Sequence, residues 1–201
     1  MIILRRILGY ILILSALVLG LNSFWNWYEG RSSARDLTEE EVKQYVNSST
    51  TVNKQETTTK QIPSSEVSHT KGEAVATLVI PTLGQKYTVY WGTDEDSLQK
   101  GVGMFVSHLT TTPDGNGHTV LSGHRDTVFT GLDKVKEGNT LIVKYNDQIY
   151  TYEVKKTWIV DKDDRSVIVK KDKPTLTLTT CYPFHYVGSA PERYIIQAER
   201  I

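Results

Sequence analysis

An unbroken run of 22 uncharged residues, 7–28, constrains this chain more than any other feature. At 1.5 Å per residue a helix of that length reaches about 33 Å, enough to cross a hydrocarbon core. Phe24, Trp25, Trp27 and Tyr28 crowd its far end, where amphipathic rings suit the headgroup layer. Arg5 and Arg6 flank its near end. The expectation is a short cytoplasmic N-terminus (1–6), a single-pass anchor (7–28) and an extracellular remainder. A cleaved signal peptide is the competing reading, supported by the small residues around Ser15 and Ala16. The aromatic cluster favours a retained anchor.

Composition then changes twice. Residues 29–71 are dominated by Ser, Thr, Asn, Gln, Lys and Glu, and hold too little apolar surface to offset their ordering entropy. They read as a polar spacer holding a domain off the membrane, with His69 solvated. Within the spacer, Thr38 and Glu41 have the spacing of a capping box, which predicts a short helix over 37–46.

From residue 72 onward the chain is rich in strand formers. Candidate strands cover 74–80, 86–91, 104–109, 118–123, 140–145, 148–160, 166–169, 175–180 and 193–198, with short helices at 94–100 and 127–136. Asn146-Asp147 is a tight-turn signal between two of the strands, and residues 114–117 another. Many short strands and few helices predict an all-β barrel or sandwich over 72–201. The balance of 23 basic against 23 acidic residues gives no basic face for nucleic acid.

One cysteine in 201 residues excludes an internal disulfide and a multi-cysteine zinc site. Alternation along 175–180 puts Leu176 and Leu178 on one face and Thr175, Thr177 and Thr179 on the other, which Cys181 continues. Pro183 ends the pairing, so the thiol is expected at a strand mouth, accessible. The competing reading is a small core residue, since free cysteine is often buried. A thiol becomes a useful thiolate beside a cation, most often histidine. His124, in LSGHRDT, also ends an apolar strand. His118 starts that strand and reads as a surface residue. His185 lies in the loop behind the cysteine and is placed to line the same cleft, while His108 reads as an ordinary strand position. Arg193 opens the last strand. If that strand pairs with 175–180, the guanidinium returns to the cysteine's end, where its donors can face a developing oxyanion. Arg125 and Arg165 read as solvated.

LSGHRD, TLTTC and the arginine of PERYII together resemble the sortases, membrane-anchored cysteine transpeptidases of Gram-positive surfaces. Residues 177–181 match the family's TLxTC motif in full, His124 and Arg193 match its histidine and arginine, and LVIPTLG resembles its first barrel strand. The resemblance covers roughly 72–201. It implies an eight-stranded β-barrel in which Cys181 attacks the threonine carbonyl of an LPxTx-type sorting signal. It also implies His124 as general acid/base and Arg193 as stabiliser of substrate and oxyanion. Thr179, Thr180, Tyr182 and His185 are the candidate substrate contacts. The thioacyl-enzyme would be resolved by a cell-wall peptide amine or, in pilus-building members, by a pilin lysine. The short anchor, the compact domain and the HRD run look most like class D, which implies an LPNTA-like signal and a diaminopimelate amine.

No cofactor is required for this chemistry. Some sortases bind calcium, and Asp161, Asp163 and Asp164 are oxygen-bearing candidates, but a solvated turn is the stronger reading of DKDDR. Two alternatives carry less. An L,D-transpeptidase would place its cysteine in an S-x-G-C-x-R context, absent around TTCYP. A non-catalytic peptide-binding barrel would leave Cys181 silent.

Overall fold

The computed structural model describes residues 2–32, 34–49, 61–185 and 188–201. The apolar run lies in helix α1 (Ile2–Ser32), whose segment Arg5–Trp25 is long and apolar enough to cross a membrane and has no buried residue among those described. A short strand, β1 (Ala34–Asp36), and helix α2 (Glu39–Ser49) follow. The capping box is formed: Glu41 N–H donates to Thr38 Oγ1 at 3.2 Å, and Thr38 N–H to Glu41 Oε2 at 3.1 Å.

Eight further strands make the domain: β2 (Ala74–Ile80), β3 (Gln85–Trp91), β4 (Val102–Met104), β5 (His118–Ser122), β6 (Thr140–Tyr145), β7 (Gln148–Asp161), β8 (Thr175–Tyr182) and β9 (Glu192–Arg200). Helix α3 (Glu95–Lys100) sits between β3 and β4, its N-terminus capped by Asp94. The pairing order is β3-β2-β6-β7-β9-β8-β5-β4, and β4 returns to β3, so the sheet closes into an eight-stranded barrel. Closure removes the unpaired edges that an open sheet would expose. Inside, Leu78, Tyr87, Leu121, Leu141, Tyr152, Leu176, Leu178 and Ile196 are essentially inaccessible. Burial of each such side chain contributes about 1.5–3 kcal/mol. The β6–β7 hairpin turns through Asn146 and Asp147, with φ of 49° and 58°. These are the left-handed values that a two-residue hairpin turn demands.

Closure also explains where the structure departs from the expected strands. Residues 166–169 have strand composition, yet β7 is already paired with β6 and β9, and β8 with β9 and β5, so no edge is left for them. They form an irregular cover, with Val167 buried. The segment expected at 104–109 leaves the ladder after Met104, where Ser107 and Thr110 turn the chain through side-chain hydrogen bonds. Residues 127–136 hold only a 3-10 turn, Leu132–Lys134. Gly131, at φ +77°, breaks helical geometry immediately before it.

The polar stretch before the barrel is partly built into it. β1 pairs with the start of β3, Ala34 opposite Tyr87 and Asp36 opposite Gln85, and Lys86 pairs with Glu41 of α2. That lysine contact holds the Glu41 carboxyl below its ordinary range. Residues 50–60 of the spacer lie outside the described residues. Gln61 donates to Asn116 O and Lys171 O, each at 3.0 Å, and the buried Ser64 hydroxyl meets Thr110 Oγ1 at 2.8 Å. His69 is not solvated as its composition suggested. Its ring lies 4.8 Å from that of Trp91, and its Nε2 lies 3.0 Å from the Tyr145 hydroxyl.

Candidate active site

β8 carries Cys181 between two partners. On one side it runs parallel to β5, Ser122 level with Thr179, and Gly123 N–H donates to Thr179 O at 3.2 Å. His124 follows two residues after the end of β5, at the same end of the barrel as Cys181. On the other side β8 is antiparallel to β9, and Cys181 stands directly opposite Arg193. Adjacent strands are about 4.8 Å apart, and level residues share a face. A cysteine and an arginine distant in sequence thus stand opposite each other, and a histidine follows the neighbouring strand at the same end of the barrel.

Each residue of TLTTC has a distinct duty. Leu178 fills the core. Thr177, fully buried on the opposite face, meets His118 Nε2 at 2.8 Å through its hydroxyl. Thr179 is half-buried and supplies the carbonyl that holds Gly123. Thr180 is buried and donates its hydroxyl to Gly123 O at 2.7 Å, so it braces the end of β5 against β8 instead of opening onto solvent. Gly123 is held from both sides, and only glycine fits there. A Cβ would stand 2.7 Å from Val128 Cγ2 and 2.8 Å from Phe129 Cδ2, both core side chains. The backbone that delivers His124 is therefore fixed by Thr179, Thr180 and the close packing of the following turn.

Cys181 is a free, half-buried thiol. The His124 side chain is 34% exposed, and its Nε2 lies 3.9 Å from Glu95 Oε1 on α3. That separation is too long for a hydrogen bond and leaves a weak, solvent-screened attraction. Arg193 donates from Nη1 to Ala190 O at 3.2 Å and to Glu192 O at 2.9 Å. These are its hydrogen bonds among the described residues, so one end of the guanidinium is pinned to its own loop. Tyr182 stacks on Tyr194 with ring centroids 6.3 Å apart, and Phe184 meets Tyr194 edge-on at 5.2 Å, so the end of β8 and the loop after it are tied to β9 by an aromatic cluster. His185 and His108 are exposed. Arg125, read as solvated, donates to Gly188 O at 3.1 Å across the rim.

His118 is the clearest difference from the sequence reading. It is 1% exposed, with Nδ1 at 2.6 Å from Val169 O and Nε2 at 2.8 Å from Thr177 Oγ1. A carbonyl only accepts, so Nδ1 carries the proton and Nε2 accepts from the Thr177 hydroxyl. The imidazole joins the covering loop to β8, the strand that carries Cys181. Nothing local in GNGHTV marks it, because the loop that buries it comes from residues 166–169.

Burial lowers the His118 pKa, as does the nearby Lys171 charge, and the Val169 contact only partly opposes them. The unfolded chain therefore binds this proton more readily than the fold does. The stability contributed is complete above the unfolded value near 6.5 and is lost as pH falls below it. The melting temperature is expected to drop between pH 7.5 and pH 5, with a smaller drop in His118→Gln. Equal drops in both proteins would remove this assignment.

Asp161, Asp163 and Asp164 form a turn that satisfies itself: Asp163 N–H donates to Asp161 Oδ1 at 2.8 Å and Ser166 N–H to Asp164 Oδ1 at 2.7 Å. The Ser166 contacts hold the Asp164 carboxyl below its ordinary range. Among the described residues no group of three or more His, Cys, Asp or Glu side chains is placed to hold a metal ion.

Fold and site define a class of protein: a closed eight-stranded barrel with cysteine and arginine opposite each other on β8 and β9 and a histidine just past the end of the adjacent β5. The chain belongs to the sortase family, whose Sortase domain model matches residues 78–201. It is 47% identical over 131 residues to Sortase D of Bacillus subtilis, a match that covers 65% of this chain and 65% of that protein. It is 60% identical to the catalytic domain of B. anthracis SrtD, with a TM-score of 0.59 over 69% of this chain and 94% of that one. These two set it with class D. A Clostridium perfringens sortase C, solved with the C-terminal cell wall sorting motif, is 29% identical, with a TM-score of 0.59 over 82% of this chain and 91% of that one.

Proposed function

We propose that this chain is a membrane-anchored class D transpeptidase that cleaves an LPxTx-type sorting signal, LPNTA-like, after its threonine and transfers the protein to a diaminopimelate amine of the cell wall. The observation that carries the reading is Cys181 opposite Arg193 across β8 and β9, with His124 emerging from the end of β5, the other neighbour of β8. The Cys181 thiolate attacks the threonine carbonyl carbon, forming a C–S bond. The tetrahedral oxyanion collapses as the C–N bond breaks, and the His124 imidazolium gives its proton to the leaving amine. The acceptor amine then attacks the thioester. Its nitrogen bonds to carbon, its proton passes to His124, and the C–S bond breaks to restore the thiolate.

A thioester conserves the energy of the cleaved bond, so no nucleotide is needed outside the cell. Arg193, with Nη1 committed to its own loop, keeps Nη2 and Nε to donate to the substrate backbone and the oxyanion. Thr179 and Tyr182 lie near the end of β8 and His185 in the loop that follows it, and we assign them as contacts of the signal peptide. The relative solved with a cell wall sorting motif supports the substrate class. Helix α1 as a retained anchor, with Arg5 and Arg6 cytoplasmic, would set the barrel on the outer side of the membrane.

The test is incubation of the full chain with an LPNTA-containing peptide and a diaminopimelate acceptor, read by mass spectrometry. Expected products are the acceptor joined to threonine and, without acceptor, a Cys181 adduct. Peptide binding with neither product would favour a non-catalytic barrel.

A further inference from the structure

The ladder between β5 and β8 ends at Ser122 opposite Thr179, and two contacts of Gly123 carry it one residue further. His124 comes next and opens a turn in which Phe129 N–H donates to His124 O at 3.0 Å. Arg125 follows, and its side chain leaves that turn. Its Nη2 donates to Gly188 O at 3.1 Å, in the segment that leads into β9. In the sheet β8 lies between β5 and β9. The contact therefore joins the turn after one neighbour of β8 to the segment before the other.

The segment that receives this bond is tied at several points. Pro191 O accepts from Lys162 N–H at 2.9 Å, which fixes it on the β7 side. Ala190 O and Glu192 O accept from Arg193 Nη1 at 3.2 and 2.9 Å. Gly188 O, two residues before Ala190, takes the Arg125 bond. Gly188 has φ +106°, a value that glycine adopts readily and other residues rarely. The same freedom lets an untied glycine loosen a loop, and a charged donor opposes this more strongly than a neutral one. Arg125 and Lys162 thus hold the 188–192 segment from opposite sides, and Arg193 is pinned between them.

We infer that Arg125 is a positioning residue for the transfer reaction. By holding Gly188 it fixes the segment to which the Arg193 guanidinium is bonded, and so sets where that guanidinium stands relative to His124. The inference rests on the transpeptidase reading. Arg125 acts through Arg193 and not at the reacting carbon. The residue after the histidine and the residue five before the arginine then couple the two flanks of the cysteine strand.

The test is a double-mutant cycle in the full chain in detergent micelles, read as kcat/KM for cleavage of an LPNTA-containing peptide. Arg125→Gln is expected to lower kcat/KM about tenfold, the weight of one partly solvated, charge-assisted hydrogen bond. In an Arg193→Lys background the same change should cost less than about twofold, because the fork it positions is then absent. Gly188→Ala, which disturbs the acceptor and leaves the arginine, should reproduce the tenfold loss. Hydrogen exchange of the Lys162 amide, which is bonded to Pro191 O, should quicken in Arg125→Gln as the segment loosens. An equal loss in both backgrounds, no loss in the first, full activity in Gly188→Ala, or an unchanged Lys162 amide would each overturn the assignment. A wild-type chain that does not cleave the peptide would instead overturn the transpeptidase reading, and the Lys162 amide would then decide whether Arg125 holds the segment.

Discussion

Replacing Cys181 with alanine is expected to abolish both the enzyme-linked adduct and the transfer product, a loss of about 10⁴-fold or more, while the protein stays folded. The two halves of this expectation have separate grounds. Chemically, the barrel rim offers no second thiol, since the chain has one cysteine. A neighbouring threonine cannot substitute, because the Thr180 hydroxyl is committed to Gly123 O and the Thr177 hydroxyl to His118. Structurally, the Cys181 side chain is half-buried and forms part of neither the core cluster nor the Gly123 clamp. Its removal should therefore shift the melting temperature little. Peptide cleavage followed by chromatography, beside a thermal melt of the same sample, checks both. Residual transfer at more than a hundredth of the wild-type rate would show that another group forms the acyl bond.

Much of this arrangement was legible in the chain because it is local or strictly periodic. Alternation along residues 175–181 separates Leu176 and Leu178 from the thiol's face, and only the two leucines join the core cluster. Pairing of β8 with β9 needs only that a short loop return the chain, and it sets Arg193 opposite Cys181. The Thr38–Glu41 box and the Asn146–Asp147 turn are likewise four-residue problems.

What escaped the sequence depends on partners far away. His118 and His124 both flank one strand, and no local feature says that a loop fifty residues later buries the first and leaves the second open. Residues 166–169 read as strand because propensity is local, whereas the absence of a free edge belongs to the closed barrel. Gln61, Ser64 and His69 read as spacer because polar side chains suggest solvent, yet here they meet Asn116, Thr110 and Tyr145. Thr180 has the same ambiguity: beside a nucleophile, a hydroxyl that faces substrate and one that braces the backbone look identical in sequence. Only the bond to Gly123 O distinguishes them.

The Arg193→Lys variant is expected to lose about 10²–10³-fold in kcat/KM, the weight of one well-placed oxyanion donor. Charge is conserved in this substitution, so long-range attraction of substrate is not at issue. The difference lies in the planar fork. Nη1 spans Ala190 O and Glu192 O, which turns the guanidinium into a fixed bracket between the loop and whatever lies over Cys181. A lysine ammonium can satisfy those carbonyls or reach the oxyanion, but a single nitrogen does not do both in one geometry. Loss of the loop contact alone would mainly raise KM by loosening residues 188–192. Loss of the oxyanion donor would lower kcat. The bracket predicts that both change together, and that Arg193→Gln, which keeps a planar donor but loses charge and reach, falls further still. Burst measurements of thioester formation separate the two effects. An Arg193→Lys protein that acylates at the wild-type rate would show that the guanidinium orders the loop and takes no part at the reacting carbon.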